Sequence, residues 1–206
     1  MVEKILTITK LSSFFMSARS GSLIEVGWFK SLYAKEAVDR DNNPIPWCTY
    51  SYINFIEKKL KSGFRIFEYG SGNSTRWYAK KVKEIIVVEH NITWHKKMIP
   101  LLPDNATLIY RELGSDYTSE ILKHGLFDII IIDGRKRVKS SYEAIKALKP
   151  DGVIIWDDAE REYYTDGIKK LKELGFKEMY FDGLRPISPL DGRTSVFYRE
   201  NNCLNL

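Results

Sequence analysis

Five carboxylates in this chain stand where an apolar run ends: Glu68, Glu89, Asp133, Asp157 and Asp158. Glu68 follows Phe64-Arg65-Ile66-Phe67, and Glu89 follows Ile85-Ile86-Val87-Val88. Between the two lies a tight turn, Gly70-Ser71-Gly72-Asn73-Ser74-Thr75, and then a helix-like segment from Arg76 to Val82. The order is strand, glycine turn, helix, strand, acid. Glycines let a backbone approach a ligand closely, and a helix start offers unpaired N–H groups and a positive dipole end. Glu89 comes 21 residues after Glu68, at the tip of the second strand, where an acid bonds both hydroxyls of a ribose. Such a unit binds a nucleotide-like ligand.

The turn is not a dinucleotide fingerprint. Gly70-x-Gly72-x-x-Thr75 lacks the third glycine. The carboxylate of Glu68 beside it would repel a pyrophosphate, but it suits a ligand carrying an ammonium and a sulfonium. EYGSGNST followed by VVEH resembles the cofactor site of the class I S-adenosylmethionine-dependent methyltransferases. FDIIIIDGR and LKPDGVIIWDD resemble the fourth and fifth strands of that family, so the likeness spans about residues 64–199. The resemblance implies S-adenosylmethionine as cofactor. It places Glu68, Gly70, Gly72 and Ser74 at the methionine end, with Ser71 and Thr75 in the same turn. Glu89 would take the ribose and Asp116 would reach the adenine; His90, next to Glu89, would line the adenine pocket, against the alternative of a surface histidine. For Asp116 the alternative is a helix N-cap.

Asp133, Asp157 and Asp158 fall at neighbouring strand tips. Three carboxylates in one cleft repel one another unless a cation or a proton intervenes. Hard oxygen ligands suit Mg²⁺ or another divalent cation. The set resembles the catechol-type and macrocin-type O-methyltransferases, which implies a metal on Asp133, Asp157 and Asp158 beside an acceptor hydroxyl. This chain departs from that pattern in having Gly-Arg after Asp133 and Asp-Asp at the second tip. The metal-free alternative gives Asp133 to the cofactor's amino group, Asp157 to proton abstraction and Asp158 to a helix cap. Arg135-Lys136-Arg137-Val138-Lys139 follows the fourth strand. There Arg135 and Arg137 would recruit an anionic acceptor, against the alternative of a solvated loop.

These residues need elements to position them. A helix from Thr49 or Ser51 to about Leu60 carries Ile53, Ile56 and Leu60 on one face. Later helices are expected over Thr93–Ile99 and Tyr117–Lys123, from a capping box Ser140-x-x-Glu143 through Leu148, and over Arg161–Leu174. Strands are expected at Ala106–Tyr110, Phe127–Ile132 and Val153–Trp156. Two more, Phe176–Phe181 and Ser195–Tyr198, are joined by a Pro- and Gly-rich loop. The isoleucine run at 129–132 marks a strand buried on both faces. Alternating strands and helices predict an α/β fold, a doubly wound and mostly parallel sheet with helices on both faces. The resemblance implies seven strands, Rossmann-like. Residues 1–48 then form an N-terminal helical extension or lid, with a helix at Ile5–Met16 and with Trp47 and Tyr50 as lid residues, against the alternative that these two simply pack on the sheet. Residues 49–206 form the cofactor-binding domain.

Composition narrows the function class. The 206 residues are 44% hydrophobic, enough for a core, and the net charge of +5 permits an acidic partner without requiring one. Two distant cysteines, Cys48 and Cys203, form neither a disulfide framework nor a zinc motif. No apolar stretch approaches the roughly 20 residues of a membrane helix, and Lys10 splits the one near the start. The expectation is a cytoplasmic protein that does not enter membranes. The acid cluster, and the lack of an Asn-Pro-Pro-Tyr-type signature, favour oxygen on a small molecule or glycan as methyl acceptor. Two alternatives stand. One is a nucleic-acid methyltransferase, for which the basic runs at 80–83, 135–139 and 169–172 must converge. The other is a non-catalytic cofactor-binding scaffold.

Overall fold

The computed structural model describes residues 21–206; the expected helix at Ile5–Met16 lies outside them. The described residues begin with two short helices, α1 (Ser22–Glu25) and α2 (Trp28–Ala34), followed by α3 (Tyr50–Glu57). Strands and helices then alternate: β1 (Arg65–Tyr69), α4 (Asn73–Ala79), β2 (Glu84–Glu89), α5 (Ile92–Met98), β3 (Ala106–Tyr110), α6 (Ser115–Ser119), β4 (Phe127–Ile132), α7 (Arg137–Lys146), β5 (Leu148–Asp157) and α8 (Thr165–Glu173). A hairpin of β6 (Lys177–Arg185) and β7 (Ser188–Tyr198) closes the sheet. The seven strands lie in the order β3-β2-β1-β4-β5-β7-β6. β1 to β5 run parallel, and β7 is antiparallel to both of its neighbours. This is the expected doubly wound, Rossmann-like architecture.

Strand side chains alternate between faces, and two cores result. One face gathers Ile66, Ile85, Val87, Ile129 and Ile155 under α3 and α4. The other gathers Phe67, Val88, Ile130, Ile154 and Trp156 under α6, α7 and α8. All six residues of β4 are buried, as a central strand covered on both sides requires. Tyr52, Ile53 and Ile56 of α3 are buried too, each worth roughly 1.5–3 kcal/mol relative to exposure.

Several boundaries differ from expectation. α7 begins at Arg137, so Ser140 lies inside the helix and the expected capping box does not form. The β6–β7 loop is short: Arg185 pairs with Ser188, and only Pro186 and Ile187 turn the chain. Strand pairing continues through Gly183 and Gly192, with a register shift between Gly183 and Arg185. The segment expected as a helix from Arg161 opens with a 3₁₀ turn at Glu162–Tyr164. The basic runs do not converge. Residues 80–83 lead into the amino end of β2, and α8, which holds 169–172, descends to the amino end of β6. Residues 135–139 follow the carboxyl end of β4, at the opposite end of the strands. Among the described residues no helix is long and apolar enough to cross a membrane.

Candidate functional site

Glu68 is the fourth residue of the five in β1, not a residue beyond its tip. It shares a face with Ile66 and is fully buried. Ser74 Oγ donates to its Oε1 at 2.5 Å, and Thr75 Oγ1 donates to its Oε2. Thr75 Oγ1 in turn accepts from the Gly72 N–H at 3.2 Å. Glu68 therefore fixes the first turn of α4 from below. It and Thr75 do not line the cleft, which corrects their assignment as direct cofactor contacts.

Burial pushes the Glu68 carboxyl up to about 7, against the hydrogen bonds from Ser74 and Thr75, which pull it down. An acid raised in the fold favours its protonated form there. Its stabilising contribution is complete below the unfolded value of about 4.5 and fades as pH rises through about 7. Glu68→Gln should therefore gain on the wild type between pH 5 and pH 8, by on the order of 3 kcal/mol. Urea unfolding at both pH values measures the difference, and a difference that does not change with pH would refute this assignment.

Glu89, the last residue of β2, is buried at the cleft wall. Ser71 donates to its Oε2 through N–H at 3.1 Å and Oγ at 2.9 Å. The N–H groups of His90 and Asn91 donate to Oε1 at 2.8 and 2.7 Å. The turn holding Ser71 is itself pinned, because Trp94 Nε1 donates to the Ser71 carbonyl at 2.8 Å. Gly70 has φ +89, and a Cβ there would sit 3.0 Å from Gly134 Cα. A Cβ on Gly134 would meet the Tyr117 hydroxyl at 2.1 Å. The loops after β1 and β4 thus touch backbone to backbone, at the point where the strand order reverses.

The three aspartates converge as expected, with one carboxylate oxygen of each within 4.8 Å of the others. What joins them is arginine. Arg137 is buried and donates to Asp133 Oδ1 at 2.8 Å, to the Gly134 carbonyl at 3.0 Å and to the Asp157 carbonyl. It also lies 3.2 Å from Asp158 Oδ2. Arg185 and Arg161 pair with Asp158 Oδ1 at 2.5 and 2.8 Å. A divalent ion does not fit this set. The guanidinium of Arg137 occupies the place between Asp133 and Asp158, and two more cations hold the remaining Asp158 oxygen. A dication would face three positive charges at hydrogen-bond range. Arg137 is likewise corrected as an acceptor-recruiting residue, since its donors are taken inside the fold.

Asp157 differs from its neighbours. Its Oδ1 accepts from Thr194 Oγ1 at 2.6 Å, and its side chain has no arginine partner among the described residues. Burial pushes its carboxyl well up, and the nearby Asp133 and Asp158 add to this, while Thr194 and Arg137 oppose it. Asp133 is also raised, by burial first, against the pull of Arg137. The two form a pair that holds protons into the neutral range.

One cleft of about 720 Å³ contains both halves of this arrangement. Gly70 to Ser74, Glu89 and His90 line one half; Asp133, Arg135, Asp157 and Asp158 line the other. Asp116 is not brought to it: the residue is exposed on the first turn of α6. Of the two expected lid residues, Trp47 lines the cleft and is half exposed, whereas Tyr50 does not line it and packs against the core under α3. The closer covering comes from Lys35, Glu36 and Ala37, where the Ala37 carbonyl accepts from Asn73 Nδ2 at 2.9 Å. On the far side Trp28 Nε1 donates to the Ser188 carbonyl at 3.0 Å. Sequence reading also missed Arg76, Trp94, Arg161, Tyr163, Tyr164 and Arg185 in the lining. Trp94 carried a usable signal, being an aromatic one turn beyond the Glu89 tip. Arg76 directly follows the glycine turn and Arg161 comes three residues after Asp158, so both stood beside motifs already singled out, whereas Tyr163, Tyr164 and Arg185 carry no motif.

No protein-family model and no curated protein matches the sequence. Solved structures match in fold. The precorrin 8w decarboxylase of Methanobacterium thermoautotrophicum superposes with a TM-score of 0.58 at 18% identity, over 80% of this chain and 97% of that one. An rRNA methylase from Streptococcus thermophilus gives 0.54 at 14% identity, over 71% and 93%. A methyltransferase-like structure from Streptococcus mutans, solved with S-adenosylhomocysteine, gives 0.51 at 14% identity, over 70% and 94%. The chain has the fold these structures share, that of the class I methyltransferases. The proteins differ in what they act on, and the fold does not choose among their substrates.

Proposed function

We propose that this chain is an S-adenosylmethionine-dependent methyltransferase acting on oxygen of a small molecule or glycan. The observation that carries the reading is the single cleft, with a ribose-type acid at one end and a raised carboxylate pair at the other. Glu89 takes the ribose hydroxyls, which replace the Ser71 donors on Oε2. The turn from Gly70 to Ser74 follows the methionine portion, with Glu68 and Thr75 holding the turn in shape. Arg76 lines the same half, and its guanidinium contacts only Asn73 Oδ1, at 3.1 Å, among the described residues. It is the cation available to the cofactor's carboxylate.

Methyl transfer from a sulfonium is an in-line displacement, so donor and acceptor must be held at near-attack distance. A hydroxyl acceptor must also lose its proton, and Asp157 is the group placed to take it. A carboxyl raised toward neutrality suits that task, because general bases work best near the operating pH. Asp133 shares the proton, and Arg137 keeps the two acids together. The dispersal of the basic runs over both ends of the strands speaks against a nucleic-acid acceptor.

S-adenosylhomocysteine tests the cofactor half. At about a hundred times its Kd it should add about 2.7 kcal/mol of stability, seen as a rise in melting temperature. Glu89→Ala should abolish the rise while NAD gives none in either protein. A rise with NAD, or one that survives Glu89→Ala, would sink the reading.

A further inference from the structure

We infer that the methyl acceptor is itself an anion, a small molecule bearing a phosphate or carboxylate that docks on Arg135 and Lys35; this rests on the cofactor reading above. The grounds are the charges in the acceptor half. Three acids there, Asp133, Asp157 and Asp158, face four guanidinium groups, those of Arg135, Arg137, Arg161 and Arg185. Arg137, Arg161 and Arg185 are each paired with those acids. Arg135 is exposed at the rim and has no acidic partner among the described residues. Lys35 comes to the same cleft from the covering segment and is likewise unpaired among them, whereas its neighbour Glu36 sits 4.0 Å from Lys97.

The imbalance is larger than the residue types suggest. Asp133 and Asp157 hold protons into the neutral range, so they neutralise less than two full charges. A bound sulfonium adds one more positive charge. A neutral acceptor would leave this half of the cleft cationic and partly dry, whereas an anion completes it. Arg185 adds a second sign, for its Nε is buried without a partner among the described residues. Trp47 and Tyr163, both well exposed and both on the lining, offer flat apolar faces to the body of such a molecule.

The test uses the whole protein saturated with S-adenosylhomocysteine, at constant ionic strength. It is titrated in turn with inorganic phosphate, glucose 1-phosphate, glucuronate and glucose while the melting temperature is followed. The expected result is a rise with phosphate and glucose 1-phosphate if the docked group is a phosphate, or with glucuronate if it is a carboxylate, and none with glucose. Arg135→Gln and Lys35→Gln should each weaken the apparent affinity roughly tenfold, the size of one charge-assisted hydrogen bond. Lys169→Gln, on the outer face of α8, should leave it unchanged. A protein that still responds to S-adenosylhomocysteine but treats the anions like glucose overturns the inference alone. An equal response in Arg135→Gln and in the wild type does the same. A protein that ignores S-adenosylhomocysteine removes the cofactor reading, and this inference falls with it.

Discussion

Asp157→Asn will slow methyl transfer by about 10²–10⁴-fold, the usual contribution of a positioned general base. The substitution is nearly isosteric. An asparagine oxygen still accepts from Thr194 Oγ1, which donates to Asp157 Oδ1 at 2.6 Å, so the end of β5 keeps its shape. What is lost is a group that can take a proton. Cofactor binding should not change, because Glu89 and the glycine turn lie beyond β2 and β1 on the other side of the switch point. The measurement is transfer of a labelled methyl group from S-adenosylmethionine to a panel of hydroxylated sugar phosphates, with binding of S-adenosylhomocysteine followed in parallel. The wild-type rate should climb with pH across the neutral range as the Asp133–Asp157 pair gives up its proton. The variant should show no such climb. A variant that keeps the wild-type rate would mean the acceptor loses its proton elsewhere.

Arg137→Met will cost about 3–5 kcal/mol of stability, the typical penalty for removing one partner of a buried ion pair. Methionine replaces much of the side-chain volume, so the loss is chiefly electrostatic. Without the guanidinium, Asp133 loses its 2.8 Å partner and Asp158 the contact at 3.2 Å. The direction with pH follows from the raised carboxyls of Asp133 and Asp157. At pH 5.5 both are protonated in the fold, little charge is left uncompensated, and the penalty shrinks. At pH 8.5 it is complete. Chemical denaturation at the two pH values checks this, and equal losses would show that Arg137 acts by packing alone.

Much of this was legible because strand chemistry is local. The isoleucine run of β4 is buried along its whole length, and the sequence pattern of apolar residues with no alternation requires that. The glycine turn between two acid-ended strands was equally plain, and Gly70 does occupy the left-handed region at φ +89. Glu68 misled, because a carboxylate reads as the end of an apolar run. Here Ser74 and Thr75, six and seven residues on, supply the hydrogen bonds that let it be buried inside the strand. The acid cluster invited a metal for a similar reason. Besides Arg137, the partners that neutralise Asp158 are Arg161 and Arg185, the second of them 27 residues away on a hairpin whose packing no local pattern reveals. The covering segment at 35–37 is polar and aperiodic, so nothing in it announced contact with the site.

β7 lies between β5 and β6, and this placement imposes an order on biosynthesis. A nascent chain exposes β1 to β5 well before residues 188–198 leave the ribosome. The glycine turn and Glu89 lie in residues synthesised well before β7. Asp157 is not yet in place, because Thr194, which bonds both its carboxylate and the Thr49 N–H, arrives last. Until then β5 is an open edge strand of apolar residues, the most adhesive surface the growing molecule presents. The same late strand that seals this edge also carries Thr194, the donor to the Asp157 carboxylate.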